Sequence, residues 1–246
     1  NAEGVADGQA SGTSNPVFVA WATGYVNYDH SVQPGYSDGR FLDPIAALGP
    51  ATGDNEVVSL GDLDSDMITA GNSPGSITMT FSVVIGNGPG PDIAGFENGF
   101  ISNTSGLLFA ELGHVEVSSD NVTFARFPSV SLTPGLVGGY GCIDTTNVFN
   151  LIGKHVSNYN DCWGTPFDLD DVASDENVVN GNIDLNNINY VRIVDIPGSG
   201  DYRDSLGNPI YDAWVTWGSG GVDLQAIGVL NTATAPLTAT LASGVV

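Results

Sequence analysis

Oxygen donors dominate the residues that could do chemistry. Asp92, Glu97 and Asn98 fall within Pro91–Asn98, a segment otherwise made of Pro, Ile, Ala, Gly and Phe, and Asp223 opens the apolar run Val222–Leu230. Carboxylates placed among apolar neighbours are costly if buried without counter-charge. A hard cation such as Ca²⁺, which takes oxygen ligands, answers that need. Asp92, Glu97, Asn98 and Asp223 are therefore the expected calcium ligands, with hydrogen bonding to loop amides as the alternative. Asp62-x-Asp64-x-Asp66 has the opening spacing of a calcium loop, but Met67 and Ser73 stand where such a loop needs Gly and Glu. That spacing reads first as a helix start and second as an ion site.

Signals for catalysis are weak. Gly71-Asn72-Ser73-Pro74-Gly75 fits the expression G-x-S-x-G, yet a strand pattern follows it where a nucleophile elbow needs a helix. Gly86, Gly88 and Gly90 resemble a phosphate loop, but Pro89 and Pro91 remove amide donors and no lysine is near. His30, His114 and His155 form no ligand pair, and His114 reads as a surface or satisfied histidine. The chain is expected not to be an enzyme.

Cys142 and Cys162 lie in a Gly/Asn-rich stretch with Asp144 and Asp161 close by. Acidic surroundings disfavour a reactive thiolate. A disulfide closing a loop of about 20 residues, contributing on the order of 3 kcal/mol, is the favoured reading. Two free buried thiols are the alternative. Tyr202, Tyr211, Trp214 and Trp217 cluster in a Gly/Asp-rich region around Arg203. They read as a platform for extracellular polysaccharide or as aromatics covering the sandwich edge or a subunit interface.

These residues need a β scaffold. Ser76–Val83 alternates strictly, with Ile77, Met79, Phe81 and Val83 on one face and Thr78, Thr80 and Ser82 on the other. Val17–Ala22, Val115–Val117, a strand opened by Phe124 and Phe127, Tyr190–Ile196 and Val222–Leu230 read as further strands. Ser118–Asn121 reads as a turn. Helix signals are confined to Ser65–Gly71, capped by Asp64 or Ser65, and to a turn or two within Pro166–Ala173. With 33 Gly and 13 Pro in the linkers, the expectation is an all-β, antiparallel sandwich with long loops and one or two short helices. Residues 1–15 read as a flexible arm, 16–231 as the sandwich and 232–246 as a C-terminal β tail. In that uncharged tail Leu237, Ala239 and Leu241 alternate with Thr238, Thr240 and Ala242, so it reads as a last strand, a frayed linker or a strand donated to a neighbour.

The charge balance narrows the setting. The chain has 246 residues and a formal net charge of −23, from 28 acids against 5 bases, although charged residues are only 13% of it. Such a polyanion lacks the basic footprint for nucleic acid, and anionic membranes repel it. No apolar run spans a bilayer. The acids concentrate in stretches such as 54–66 and 161–176, which suggests a solvated loop surface around a neutral core. Asn1 reads as the first residue of a processed chain, and the disulfide and single lysine (Lys154) point outside the cytoplasm.

Several segments together resemble bacterial secreted or cell-surface proteins of the PEP-CTERM-associated type. They include Pro74-Gly75-Ser76-Ile77-Thr78-Met79-Thr80-Phe81, Asn87-Gly88-Pro89-Gly90-Pro91-Asp92 with Phe96-Glu97-Asn98, Gly164-Thr165-Pro166-Phe167-Asp168-Leu169 and Gly221-Val222-Asp223-Leu224-Gln225-Ala226-Ile227-Gly228. The resemblance covers roughly 16–231. It implies a jelly roll like galactose-binding-type modules and an extracellular setting, and no established activity. The expected function is an extracellular structural subunit that assembles with copies of itself into a surface layer or filament. The alternative is a calcium-stabilised carbohydrate-binding or adhesion module.

Overall fold

The computed structural model describes residues 18–31, 40–52, 55–102, 106–157, 164–216 and 218–233. Its strands are β1 (Ala20–Asp29), β2 (Val58–Ser59), β3 (Ser76–Ile85), β4 (Ile93–Glu97), β5 (Phe100–Ile101), β6 (Leu108–Phe109) and β7 (Gly113–Ser118). They continue with β8 (Ala125–Arg126), β9 (Val130–Ser131), β10 (Val148–Phe149), β11 (Thr165–Phe167), β12 (Ile188–Asp195) and β13 (Asp223–Val229). Two short helices, α1 (Ser65–Thr69) and α2 (Glu176–Val179), complete the regular structure together with 3₁₀ turns.

Every ladder between these strands is antiparallel. The main sheet runs β11-β4-β13-β1-β3-β12-β7-β8 and curls at β1. Ala20 and Trp21 pair with β13, whereas Ala22 onward pairs with β3, across register shifts near Gly24 and after Val26. Such bulges bend a strand and let it serve two layers. Counted along the chain, the eight strands of that path stand first, eighth, third and sixth in one layer, and second, seventh, fourth and fifth in the other. That interleaving is a jelly roll. The fold is all-β, as expected.

The alternation in Ser76–Val83 becomes β3, but Thr78 is as fully buried as Ile77 and Met79, so this half of the strand is covered on both faces. Phe127 lies just beyond β8 and meets Phe167 of β11 with ring centroids 5.1 Å apart, joining the two layers through the core. The strand expected to open with Phe124 and Phe127 shrinks to Ala125–Arg126. Pro166 falls in β11 rather than in a helix, and β11 is an edge strand, where a missing N–H costs no ladder bond. The helical turn expected nearby covers only Leu169–Val172, with Asp168 accepting from the Asp170 amide. Asp64 caps α1 by accepting from the Met67 amide at 2.8 Å.

His114, expected at the surface or satisfied, is buried in β7 with no hydrogen bond to Nδ1. Burial, aided by Arg126, pushes its pKa down to about 3, which keeps it neutral. Three side chains in register across β12, β7 and β8 form a charge triplet, with Glu116 accepting from both Arg126 and Arg192. The Arg192 guanidinium also lies 3.7 Å from the Phe124 ring centroid. No helix among the described residues is long and apolar enough to cross a membrane.

Phe127 makes the interlayer contact, so Phe127→Ala is expected to lower the unfolding free energy by about 3–5 kcal/mol, measured by urea denaturation.

Candidate functional site

The jelly-roll register gathers acids at one end of the sandwich. Glu97 ends β4 and lies opposite Leu224, next to Asp223 at the start of the antiparallel neighbour β13. Asp223 in turn faces Ser59 of β2, three residues before Asp62. Asp195 ends β12 opposite Gly113, which begins β7 two residues after Glu111. Asp212 enters from the loop after β12, its Oδ2 accepting from the Leu112 amide at 2.7 Å. All six carboxylates are buried, none more than 6% exposed.

Burial is the largest influence on each of them and raises its pKa. Asp62 rises to about 7 and Asp223 to about 6. Glu97, Glu111, Asp195 and Asp212 are pushed well above the ordinary carboxylate range. The next influence on Glu97 and Glu111 is the charge of Asp223, and on Asp195 that of Asp62. Like charges in a low dielectric disfavour one another's ionisation.

The main chain anchors one oxygen of several of these groups. Glu97 Oε2 accepts from Gly99 N at 3.0 Å, Asp195 Oδ1 from Val222 N at 2.8 Å, and Asp62 Oδ2 from Thr216 N at 3.1 Å. The Thr216 hydroxyl donates to Glu111 Oε1 at 2.5 Å and accepts from Gly221 N at 3.3 Å. The opposite oxygens of four groups, Asp62 Oδ1, Glu97 Oε1, Asp195 Oδ2 and Asp223 Oδ1, are buried with no hydrogen-bond partner. Gly221 (φ +66) has to be glycine: a Cβ there would lie 2.6 Å from Asp195 Oδ1 and closer still to the Gly61 carbonyl. Among the described residues, no three Asp, Glu, His or Cys side chains hold an ion as they stand.

Only part of the expected ligand set meets here. Glu97 and Asp223 come together. Asp92 does not join them: its carboxylate accepts from Gly88 N, Leu169 N and Asn231 Nδ2 at 2.7, 2.8 and 3.0 Å, which is the loop-amide alternative. The Asn98 side-chain amide donates to Asn55 Oδ1. Asp62 leaves the helix-start cluster and points into the buried site, while Asp64 caps α1. Glu111, Asp195 and Asp212 went unrecognised, although each is a single acid flanked by apolar residues, in Ala110-Glu111-Leu112, Val194-Asp195-Ile196 and Tyr211-Asp212-Ala213. The picture of acids concentrated on a solvated loop surface is thereby corrected, because three strand ends and the adjoining loops hold six of them inside.

The aromatic platform is largely built into the fold. Tyr202 packs on a core cluster with Leu112 and Ile210, Tyr211 lies against Gly200, and Trp214 Nε1 donates to the Leu63 carbonyl at 2.8 Å. Trp217 lies outside the described residues, as do Leu237, Ala239 and Leu241. Cys142 is half-buried and carries no disulfide among the described residues; Cys162 lies outside them. A surface cleft of about 410 Å³, lined by Phe41, Asp43, Ile45, Asn55 and Glu56 among others, contains no member of the carboxylate cluster. No protein-family model matches the chain, and no curated protein matches it significantly.

The raised pKa values set the direction of the pH response. The folded state holds protons that the unfolded state releases, so this stabilisation is complete below the ordinary value of 3.8 and is lost as pH rises through about 6 to 7. Thermal melts in a chelator are therefore expected to show the transition temperature falling between pH 4 and pH 8.

Proposed function

We propose that the chain is an extracellular, non-catalytic structural module that associates with copies of itself. The observation that carries this reading is an apolar surface on the β5–β6 hairpin. Phe100 stacks on Phe109 at 4.8 Å, and Phe109 on Tyr140 at 6.0 Å, in nearly parallel planes. Phe100 is 38% exposed and Tyr140 61%, so both ends of the stack meet solvent. Contiguous exposed aromatic and aliphatic groups mark association surfaces. At a net charge of −23 per chain, two copies repel over long range, so association needs a short-range apolar contact and screening ions.

A second observation favours the strand-donating tail. Ala233 N donates to the Val84 carbonyl, and Thr232 bridges Ile85, so the chain begins its C-terminal segment along the end of β3. The uncharged segment that follows has the composition of an added strand. The resemblance to PEP-CTERM-associated surface proteins, and the jelly roll it implied, agree with an extracellular setting. The glycan-binding alternative draws less support, because Tyr202, Tyr211 and Trp214 are engaged in packing.

Sedimentation at physiological ionic strength tests the reading. Oligomers or filaments are expected, with mass decreasing when salt is removed. Phe100→Ser with Tyr140→Ser is expected to abolish association if the hairpin surface carries it, and deletion of 234–246 if the tail does. Monomers at all concentrations up to about 100 μM, on the weak side of micromolar affinity, would refute both.

A further inference from the structure

The six buried carboxylates press like charges together at one end of the fold. The groups acting electrostatically on them are other carboxylates, and Arg126 and Arg192 are committed to Glu116 on the sheet. The anchoring follows one pattern. Backbone amides hold Glu97 Oε2, Asp195 Oδ1 and Asp62 Oδ2, while the second oxygen of each is bare. Asp223 Oδ1 is bare as well, and Thr216 holds Glu111 by one oxygen. A carboxylate fixed by one oxygen and free at the other is a ready monodentate ligand for a hard cation.

We propose that Asp62, Glu97, Glu111, Asp195 and Asp223 form a site for a hard divalent cation of the calcium class. As they stand, no three acidic, histidine or cysteine side chains among the described residues are placed to hold an ion, so the proposed site closes only as its side chains rotate. A dication in place of the protons would draw the bare oxygens together. The ligands come from the ends of β4, β12 and β13 and from the segments after β2 and before β7, so the ion ties both layers at this end. Asp212, anchored to Leu112 N, and Tyr202, near Asp195 and Asp62, border the site. Asp92 and Asn98 stand outside it.

The test uses thermal melts of the whole chain at pH 7.5, with EDTA or with calcium chloride, and terbium luminescence excited through the aromatic side chains. Trp214, tied to Leu63 beside Asp62, is the expected sensitiser. Calcium at about a hundredfold over its dissociation constant is expected to raise the transition by about 5–10 °C, and terbium to emit and be displaced by calcium. Asp223→Asn and Glu97→Gln carry the decisive sign: each is expected to melt higher than wild type in EDTA, because repulsion is relieved, and to lose most of the calcium shift and terbium emission. Asp92→Asn is expected to keep both. Should a variant fail to fold, Asp195→Asn and Glu111→Gln serve for the same comparison. An unchanged melt in calcium with no sensitised emission would overturn the proposal and leave protons as the neutralising charge. A calcium shift that survives in the cluster variants but vanishes in Asp92→Asn would overturn it too.

Discussion

Burying like charges side by side is the constraint on which this structure turns. A jelly roll brings the ends of non-consecutive strands together, and here those ends carry acids. Glu97, Asp195 and Asp223 terminate or begin long strands, and Asp62, Glu111 and Asp212 arrive from the adjoining loops. A buried ionised carboxylate is tolerated only when paired, hydrogen-bonded or protonated. Main-chain amides hold one oxygen of Asp62, Glu97, Asp195 and Asp212, and the Thr216 hydroxyl one oxygen of Glu111. The rest must come from protons or a bound cation, and the two respond oppositely to pH, because a cation competes with protons for the same oxygens.

That constraint organises the local backbone. Gly61 and Gly221 take left-handed conformations and pack where any side chain would strike the Ser31 carbonyl or the Asp195 carboxylate. Thr216 links Asp62, Glu111 and Gly221 through one amide and one hydroxyl. The loop from Asp212 to Gly221 is therefore shaped by the acids beneath it. Trp214 and Tyr202 belong to the same end of the molecule, which explains why aromatics that resemble a sugar platform in sequence are occupied with packing. The stacked Phe100, Phe109 and Tyr140 begin just beyond Glu97 and Gly99, so the proposed association surface follows directly from a strand that ends in the carboxylate cluster.

Much of the scaffold was legible because periodicity is local. The alternation of Ser76–Val83 and the apolar runs of Tyr190–Ile196 and Val222–Leu230 mark strands that stand within a few residues of those bounds. The Asp64 cap was legible for the same reason, since it needs only the next three residues. The site was legible in part. Glu97 and Asp223 stood out as acids in apolar stretches, and the same signal at Glu111, Asp195 and Asp212 went unused. Asp92 shared that signal and proved to organise loops instead, because Gly88, Leu169 and Asn231 satisfy its oxygens. The difference between a loop organiser and a cluster member lies in contacts across more than a hundred residues, as between Asp62 and Thr216, and no spacing along the chain encodes them.

The cation proposed for the carboxylate cluster is open to direct measurement. The most direct measurement is the metal content of the chain after equilibrium dialysis against calcium at pH 7.5, determined by mass spectrometry. The account predicts at least one equivalent of tightly held calcium in the wild type, lost in Asp223→Asn. Metal-free wild-type protein would contradict it.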